Sequence, residues 1–181
     1  DPGDTLYLLD GTYRNNGYGA PAKNNYQLCW LQTSGTAGQP ITIRNYPGHR
    51  PLIQFDGSMA FYADDVSYIN IHGLTIEGIA QDITYEEAMQ ARTNAVNTSY
   101  YTGTGIWFRD SHHINVSGCE IRYCPGMGIL FWEGDYLTAK HNNIHHNTWW
   151  HRAAVCALNM YSPADMDTSQ ATKITVEGNV V

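Results

Sequence analysis

Four stretches of this chain carry one pattern at uneven intervals. They are "SYINIHGLTIEG" from Ser67, "HHINVSGCEIRYC" from His112, "DYLTAKHNNIHHN" from Asp135 and "TKITVEGNVV" from Thr172. In register, Ile69, Ile114, Leu137 and Ile174 align, followed by Ile71, Val116, Ala139 and Val176, then Ile76, Ile121, Ile144 and Val181. Apolar and polar residues alternate within each stretch, which is the period of a half-buried strand. A small residue (Gly73, Gly118, Gly178, with His141 in the third copy) precedes Leu74, Cys119, Asn142 and Asn179 and marks a bend between two short strands. A unit of about 23 residues with strands, turns and no helical periodicity is a solenoid signal. One coil cannot bury its own apolar face, so equivalent positions must stack on successive coils.

The uneven intervals follow from the same architecture, because a solenoid lets insertions loop outward at its turns. Residues 80–103 form one expected insertion, with "TYEEAMQAR" able to make a short helix, and 147–170 form another. "GIWF" at 105–108 matches "GILF" at 128–131, and "AFYA" at 60–63 fits the same place, so a further sheet precedes each repeat. "VCALNM" at 155–160 extends that sheet. Ile41–Arg44 and Leu52–Phe55 give an earlier pair of strands. The fold class is therefore all-β: a single-stranded right-handed parallel β-helix, with residues 1–181 forming one domain. No polar capping coil is evident, so the chain is expected to be a fragment lacking one or both caps.

Composition narrows the partners. The 181 residues are 43% hydrophobic and 15% charged with a net charge of −7, as a globular chain would be. No basic run exists to neutralise phosphates, which argues against a nucleic-acid partner. No apolar run approaches the ~18 residues of a membrane span. The cysteines, Cys29, Cys119, Cys124 and Cys156, form no close pair of the zinc-knuckle kind. Two disulfides in an oxidising compartment and buried thiols packed as small hydrophobes both fit.

"PGDTLYLLDGTY", "SGTAGQPITIRNYPGHRPLI" and the "ITVEGN"-type coils resemble the right-handed parallel β-helix proteins of the pectate-lyase superfamily. "HHINVSGCEIRYCPGMGILFWEGDYLTAKHNNIHHNTWW" resembles a broad group of bacterial secreted β-helix repeat proteins. The resemblance implies a secreted or cell-surface monomer acting on a polysaccharide. It implies most specifically a lyase that cleaves a uronic-acid chain by β-elimination. It also implies that Asn142 and Asn179 are stacked inward asparagines bonding the backbone of neighbouring coils.

Stacking brings distant residues together. Four positions before each first inward residue stand Asp65, Asp110 and Glu133, about 4.8 Å apart along one stripe. Carboxylates at that spacing repel unless a cation intervenes, and Ca²⁺ takes such oxygen ligands. In the resembled lyases calcium holds the substrate carboxylate. A solvated turn row neutralised by water and Arg109 is the competing explanation. Glu77, Arg122 and His145 form a second stripe, either a salt-bridge ladder or a uronate clamp. Lys140 projects beside Glu177 and is the best-placed lysine for a base. Lys140, Arg122 and His145 are thus the catalytic candidates.

The window "HNNIHHNTWWHR" supplies the substrate-binding candidates: Trp149 and Trp150 to stack on sugar rings, with His146, His151 and Arg152. A glycoside hydrolase or uronate epimerase on the same fold is an alternative, as is a non-catalytic carbohydrate-binding or cell-surface structural β-helix. Convergence of Lys140, Arg122 and the histidines with the acidic stripe on one face would favour catalysis. Scatter around the solenoid would favour binding or a structural role.

Overall fold

A computed structural model describes residues 1–19, 27–93, 99–148, 151 and 155–181. The chain winds three short strands per coil. The first coil holds β1 (Thr5–Leu8), β2 (Thr12–Arg14) and β3 (Cys29–Leu31). The second holds β4 (Ile41–Asn45), β5 (Leu52–Gln54) and β6 (Met59–Asp64). The third holds β7 (Ser67–His72), β8 (Thr75–Glu77), a helix α1 (Tyr85–Thr93) and β9 (Thr104–Arg109). The fourth holds β10 (His112–Ser117), β11 (Glu120–Arg122) and β12 (Ile129–Trp132). The fifth holds β13 (Asp135–Lys140), β14 (Asn143–His145) and β15 (Leu158–Tyr161), and β16 (Ile174–Glu177) follows.

Equivalent strands stack into three all-parallel sheets. Sheet A is β1-β4-β7-β10-β13-β16, sheet B is β2-β5-β8-β11-β14, and sheet C is β3-β6-β9-β12-β15. This is the parallel β-helix expected from the repeats. The registers match too: Ile114 pairs with Ile69 and Leu137, and Leu137 with Ile174. The interior is a column of Ile69, Ile71, Ile76, Ile106, Phe108, Ile114, Ile121, Ile129, Phe131 and Ile144, all at most 1% exposed. Truncating Ile114 to alanine removes a buried layer, a loss of about 2–5 kcal/mol. All four cysteines are free thiols. Cys119 and Cys124 are buried, and burial pushes the Cys119 thiol up to about 11 and Cys124 further in the same direction.

The bend between sheets A and B is held by side-chain amides. The backbone N–H of Cys119 donates to Asn142 Oδ1 at 3.0 Å, and Asn142 Nδ2 donates to the Val116 carbonyl at 3.0 Å. One coil on, the Asn142 N–H donates to Asn179 Oδ1 at 2.9 Å, and Asn179 Nδ2 donates to the Ala139 carbonyl at 2.8 Å. Turn backbone that cannot enter a ladder is satisfied in this way. Asn147 repeats the device at the end of sheet B, taking the Cys124 N–H at 2.8 Å and donating to the Ile121 carbonyl at 2.9 Å.

The corner between sheets C and A is made differently. Asp65, Asp110, Glu133 and Ser162 have φ of 53°, 46°, 52° and 48°. Three residues after the first three of these, Tyr68, His113 and Tyr136 have φ of 56°, 54° and 51°. Side chains with a Cβ rarely adopt this left-handed region, and it costs of order 1–3 kcal/mol each. The stack repays it: a one-residue bend here turns the chain from sheet C to sheet A at the corners after β6, β9, β12 and β15.

The expected insertion at 80–103 holds α1 over the predicted "TYEEAMQAR". Ile79, Ile83 and Ala88 pack there with Tyr18, Tyr100 and Tyr101. The expected 147–170 insertion is two segments: β15 lies inside it, with one segment before the strand and another, residues 162–173, after it.

Candidate functional site

Sheet C carries its core on one face and a line of aromatic rings on the other. Trp30, Tyr62, Trp107, Trp132 and Tyr161 supply one ring per coil, with successive centroids 6.3, 5.9, 6.1 and 4.5 Å apart. The line steps sideways once. Trp30, Tyr62 and Trp107 are register partners, as are Trp132 and Tyr161, whereas Trp107 is paired with Leu130 and Trp132 with Arg109, so the Trp107–Trp132 contact is diagonal. The end rings are open, Trp30 at 53% and Tyr161 at 50% exposed. In the middle the Trp107 indole N–H is buried with no acceptor among the described residues, a cost that proteins ordinarily avoid.

Beside this line lies the acidic stripe. Arg109 grips Asp64 bidentately, Nε to Oδ1 at 3.0 Å and Nη2 to Oδ2 at 2.6 Å, and its Nε stands 3.5 Å from Asp110 Oδ2. Burial and the facing Glu133 carboxylate push the Asp110 carboxyl above the ordinary aspartate range. Asp65 and Glu133 are exposed and form no ion pair among the described residues. Trp30, Gln32, Asp64, Asp65, Arg109 and Asp110 line a concavity of about 590 Å³.

On the far side of the stripe the left-handed residues stack their rings. Tyr68 and His113 lie 4.4 Å apart and His113 and Tyr136 4.3 Å apart, at 24° and 17°. Asp65, Asp110 and Glu133 therefore form a rail between two aromatic rails. They stand in a row rather than around a point. Among the described residues no three His, Cys, Asp or Glu side chains gather closely enough to hold a metal ion.

The same corner already binds one ammonium. Lys173 Nζ donates to Asp165 Oδ1 at 2.6 Å, to the Asp167 carbonyl at 2.8 Å and to Asp135 Oδ2 at 3.0 Å, and lies 5.3 Å from the Tyr136 ring centroid. Asp135 is fully buried. Its burial is outweighed by the Met166 N–H and by Lys173, which hold its carboxyl below the ordinary range.

The other sequence candidates lie elsewhere. Arg122 and His145 are neighbours on the outward face of sheet B. Arg122 Nε donates to Glu77 Oε2 at 2.8 Å and Nη1 to Glu120 Oε1 at 2.8 Å, while His145 Nε2 meets Glu120 at 3.2 Å. Lys140 is on sheet A, 2.9 Å from Glu177. His146 is exposed, its Nδ1 2.7 Å from that of His145. His151 is half-buried, and Trp149, Trp150 and Arg152 lie outside the described residues. The structure thus brings Asp65, Asp110 and Glu133 together at the corner of sheets C and A, and sets Lys140 at the opposite end of β13 and the Arg122–His145 pair on sheet B. The aromatic line was missed by sequence reasoning. Its only linear signal is one Trp or Tyr near each sheet-C strand, and the diagonal hides that.

Comparison with family models agrees with this architecture. A family model described as "Right handed beta helix region" matches residues 59–181. A solved structure, "Crystal structure of pectate lyase Pel9A", is similar with a TM-score of 0.39 and 14% identity over 87% of this chain and 50% of that one. The chain spans half the length of that structure. No curated protein matches.

Proposed function

From the premise that this chain belongs to the right-handed β-helix family, we propose that it binds a polysaccharide along the outward face of sheet C and its acidic edge. The observation that carries the reading is the aromatic line on all five strands of that sheet. Aromatic rings offer apolar faces to sugar C–H groups, and flanking carboxylates accept bonds from sugar hydroxyls. A rigid stack of coils holds them without further ordering cost. A secreted or cell-surface monomer belongs to the same proposal.

A second reading is catalytic, and the Asp110–Glu133 contact favours it. A carboxyl pushed up by a neighbouring carboxylate can hold a proton for transfer. β-Elimination on a uronate chain is the finer form of this reading. It needs the substrate carboxylate neutralised and its α-proton removed. Lys140, at the far end of β13, and Arg122, on sheet B, are held in ion pairs away from that corner. Since the acidic rail forms no cage, calcium enters as a variable of the experiment and not as a step.

Affinity electrophoresis through gels containing neutral, uronate or amine-bearing polysaccharides, with calcium or a chelator, tests the binding reading. At least one polymer is expected to retard the protein, and Trp30→Ala with Trp132→Ala to weaken retention by about tenfold, which is ~1.4 kcal/mol. Equal mobility in every gel would overturn it. Ultraviolet absorbance from unsaturated uronate ends in the same mixtures decides between binding and lyase.

A further inference from the structure

We propose that the corner between sheets C and A selects polysaccharides carrying free amino groups, each ammonium seated between a rail carboxylate and the aromatic rings beside it. This rests on the binding reading above and adds the sign of charge that the face accepts.

Three observations carry it. The first is the balance of charge. Among the described residues Asp64, Asp65, Asp110 and Glu133 share this stretch of the edge with one guanidinium, Arg109, whose Nε and Nη2 are already spent on Asp64. Asp65 and Glu133 are exposed and enter no ion pair among the described residues. A uronate chain laid along such a row meets like charges about every 4.8 Å. A polycation meets a complementary row, and the net charge of −7 draws it in.

The second is the placement of rings. Tyr62, Trp107 and Trp132 stand on one side of the rail, and Tyr68, His113 and Tyr136 on the other. Carboxylates alone attract any cation, whereas an aromatic face beside a carboxylate favours an organic ammonium over a hard metal ion, which demands converging oxygens. These carboxylates do not converge.

The third is an occupant that the chain itself supplies. Lys173 places its ammonium among Asp135, Asp165 and Asp167 and against the Tyr136 ring, at the β13 end of the same rails. On the two coils before it the register equivalents of Asp135 are His112 and Ser67, and the carboxylates of the corner are instead Asp110 and Asp65, two residues earlier, each followed by its ring, His113 or Tyr68, with no lysine among the described residues there. The concavity there, of about 590 Å³, has room for a sugar unit. What an internal side chain does at one end, an amino sugar does at the other.

The test uses the whole chain and two polymers that differ in charge alone: a glucosamine oligomer with free amines and its fully N-acetylated counterpart. Titration calorimetry at mildly acidic pH keeps the amines protonated. The free-amine oligomer is expected to bind at least tenfold more tightly, with the advantage shrinking as salt rises. The triple variant Asp65→Asn, Asp110→Asn, Glu133→Gln should bring the ratio of the two affinities close to one. Asparagine tolerates the left-handed backbone, and circular dichroism verifies that the variant is folded. A ratio near one in the unmodified protein, or a ratio unchanged in the triple variant, overturns the inference. Binding confined to polyuronate with calcium would overturn it as well while leaving the polysaccharide reading standing. If no polymer of any charge binds, both readings fall together. Trp30→Ala separates the two: it is expected to weaken both oligomers, because it removes the ring and not the charge.

Discussion

Two rows of charge run parallel to the solenoid axis, and they are built to opposite rules. On sheet B donors and acceptors answer one another along the row. Arg14 Nε donates to Gln54 at 2.9 Å, Gln54 Nε2 to Glu77 at 2.6 Å, and Arg122 bridges Glu77 and Glu120. Nearly every donor on this row has its acceptor within the row. At the corner of sheets C and A the signs repeat, and Asp65 and Glu133 are exposed with no cationic partner among the described residues. A self-satisfied row needs nothing from outside and contributes to holding the coils together. A row of like charge is costly to the fold and persists where something external answers it. The two rows look equally polar in sequence, and only their pairing tells them apart.

Breaking the sheet-B row should have the largest effect. Glu77→Ala strands two donors, on Gln54 and on the half-buried Arg122. We expect a loss of about 2 kcal/mol in urea denaturation. An equal result for Glu77→Ala and Asp65→Asn would abolish the contrast.

Next comes the one place where the corner supplies its own cation. Lys173→Met leaves the buried Asp135 uncompensated and frees the 162–173 segment, whose Ala164 and Met166 N–H groups bond Gly134 and Asp135. Limited proteolysis should cut this segment several-fold faster, with the coils before it still protected.

The smallest effect sharpens the comparison most. Asp110→Asn relieves repulsion at the rail and should stabilise by a few tenths of a kcal/mol at neutral pH. The sign reverses the usual expectation for a carboxylate. Because the Asp110 carboxyl is raised in the folded protein, the fold takes up its proton before the unfolded chain does. Its penalty is therefore present at neutral pH and released as the pH falls through the raised value. Asp135 and Asp167 run the other way, since their depressed carboxyls lend stability that is lost as the pH falls through them. Denaturation curves across the acid range should show the Asp110→Asn advantage vanish on acidification.

The stack of sheet A was legible because period-2 alternation, with Ile69, Ile114, Leu137 and Ile174 in register, can arise in few other ways. The carboxylate stripe was legible for the same reason, since it keeps a fixed distance from those residues. The aromatic line was not. Matching "GIWF" to "GILF" correctly opposes Trp107 to Leu130, and that correct register conceals a contact made diagonally to Trp132. The stacked Tyr68, His113 and Tyr136 escaped notice because nothing in a tyrosine or histidine announces a left-handed backbone, whereas Gly73 and Gly118 do. Asn147 escaped because its partner turn has no repeat that spells it. Lys140 and Arg122 show the converse: residue type suggested chemistry, and the sheets set them on different faces.

The amides of Asn142 and Asn179 have a mechanical corollary. Each is donated by the later coil to the earlier one, so the bonds form a chain of hooks with a direction. A chain pulled lengthwise, or emerging residue by residue during synthesis, leaves the turns at Cys119 and Asn142 unlatched until the coil after each arrives. In this half of the solenoid a new coil completes the one before it.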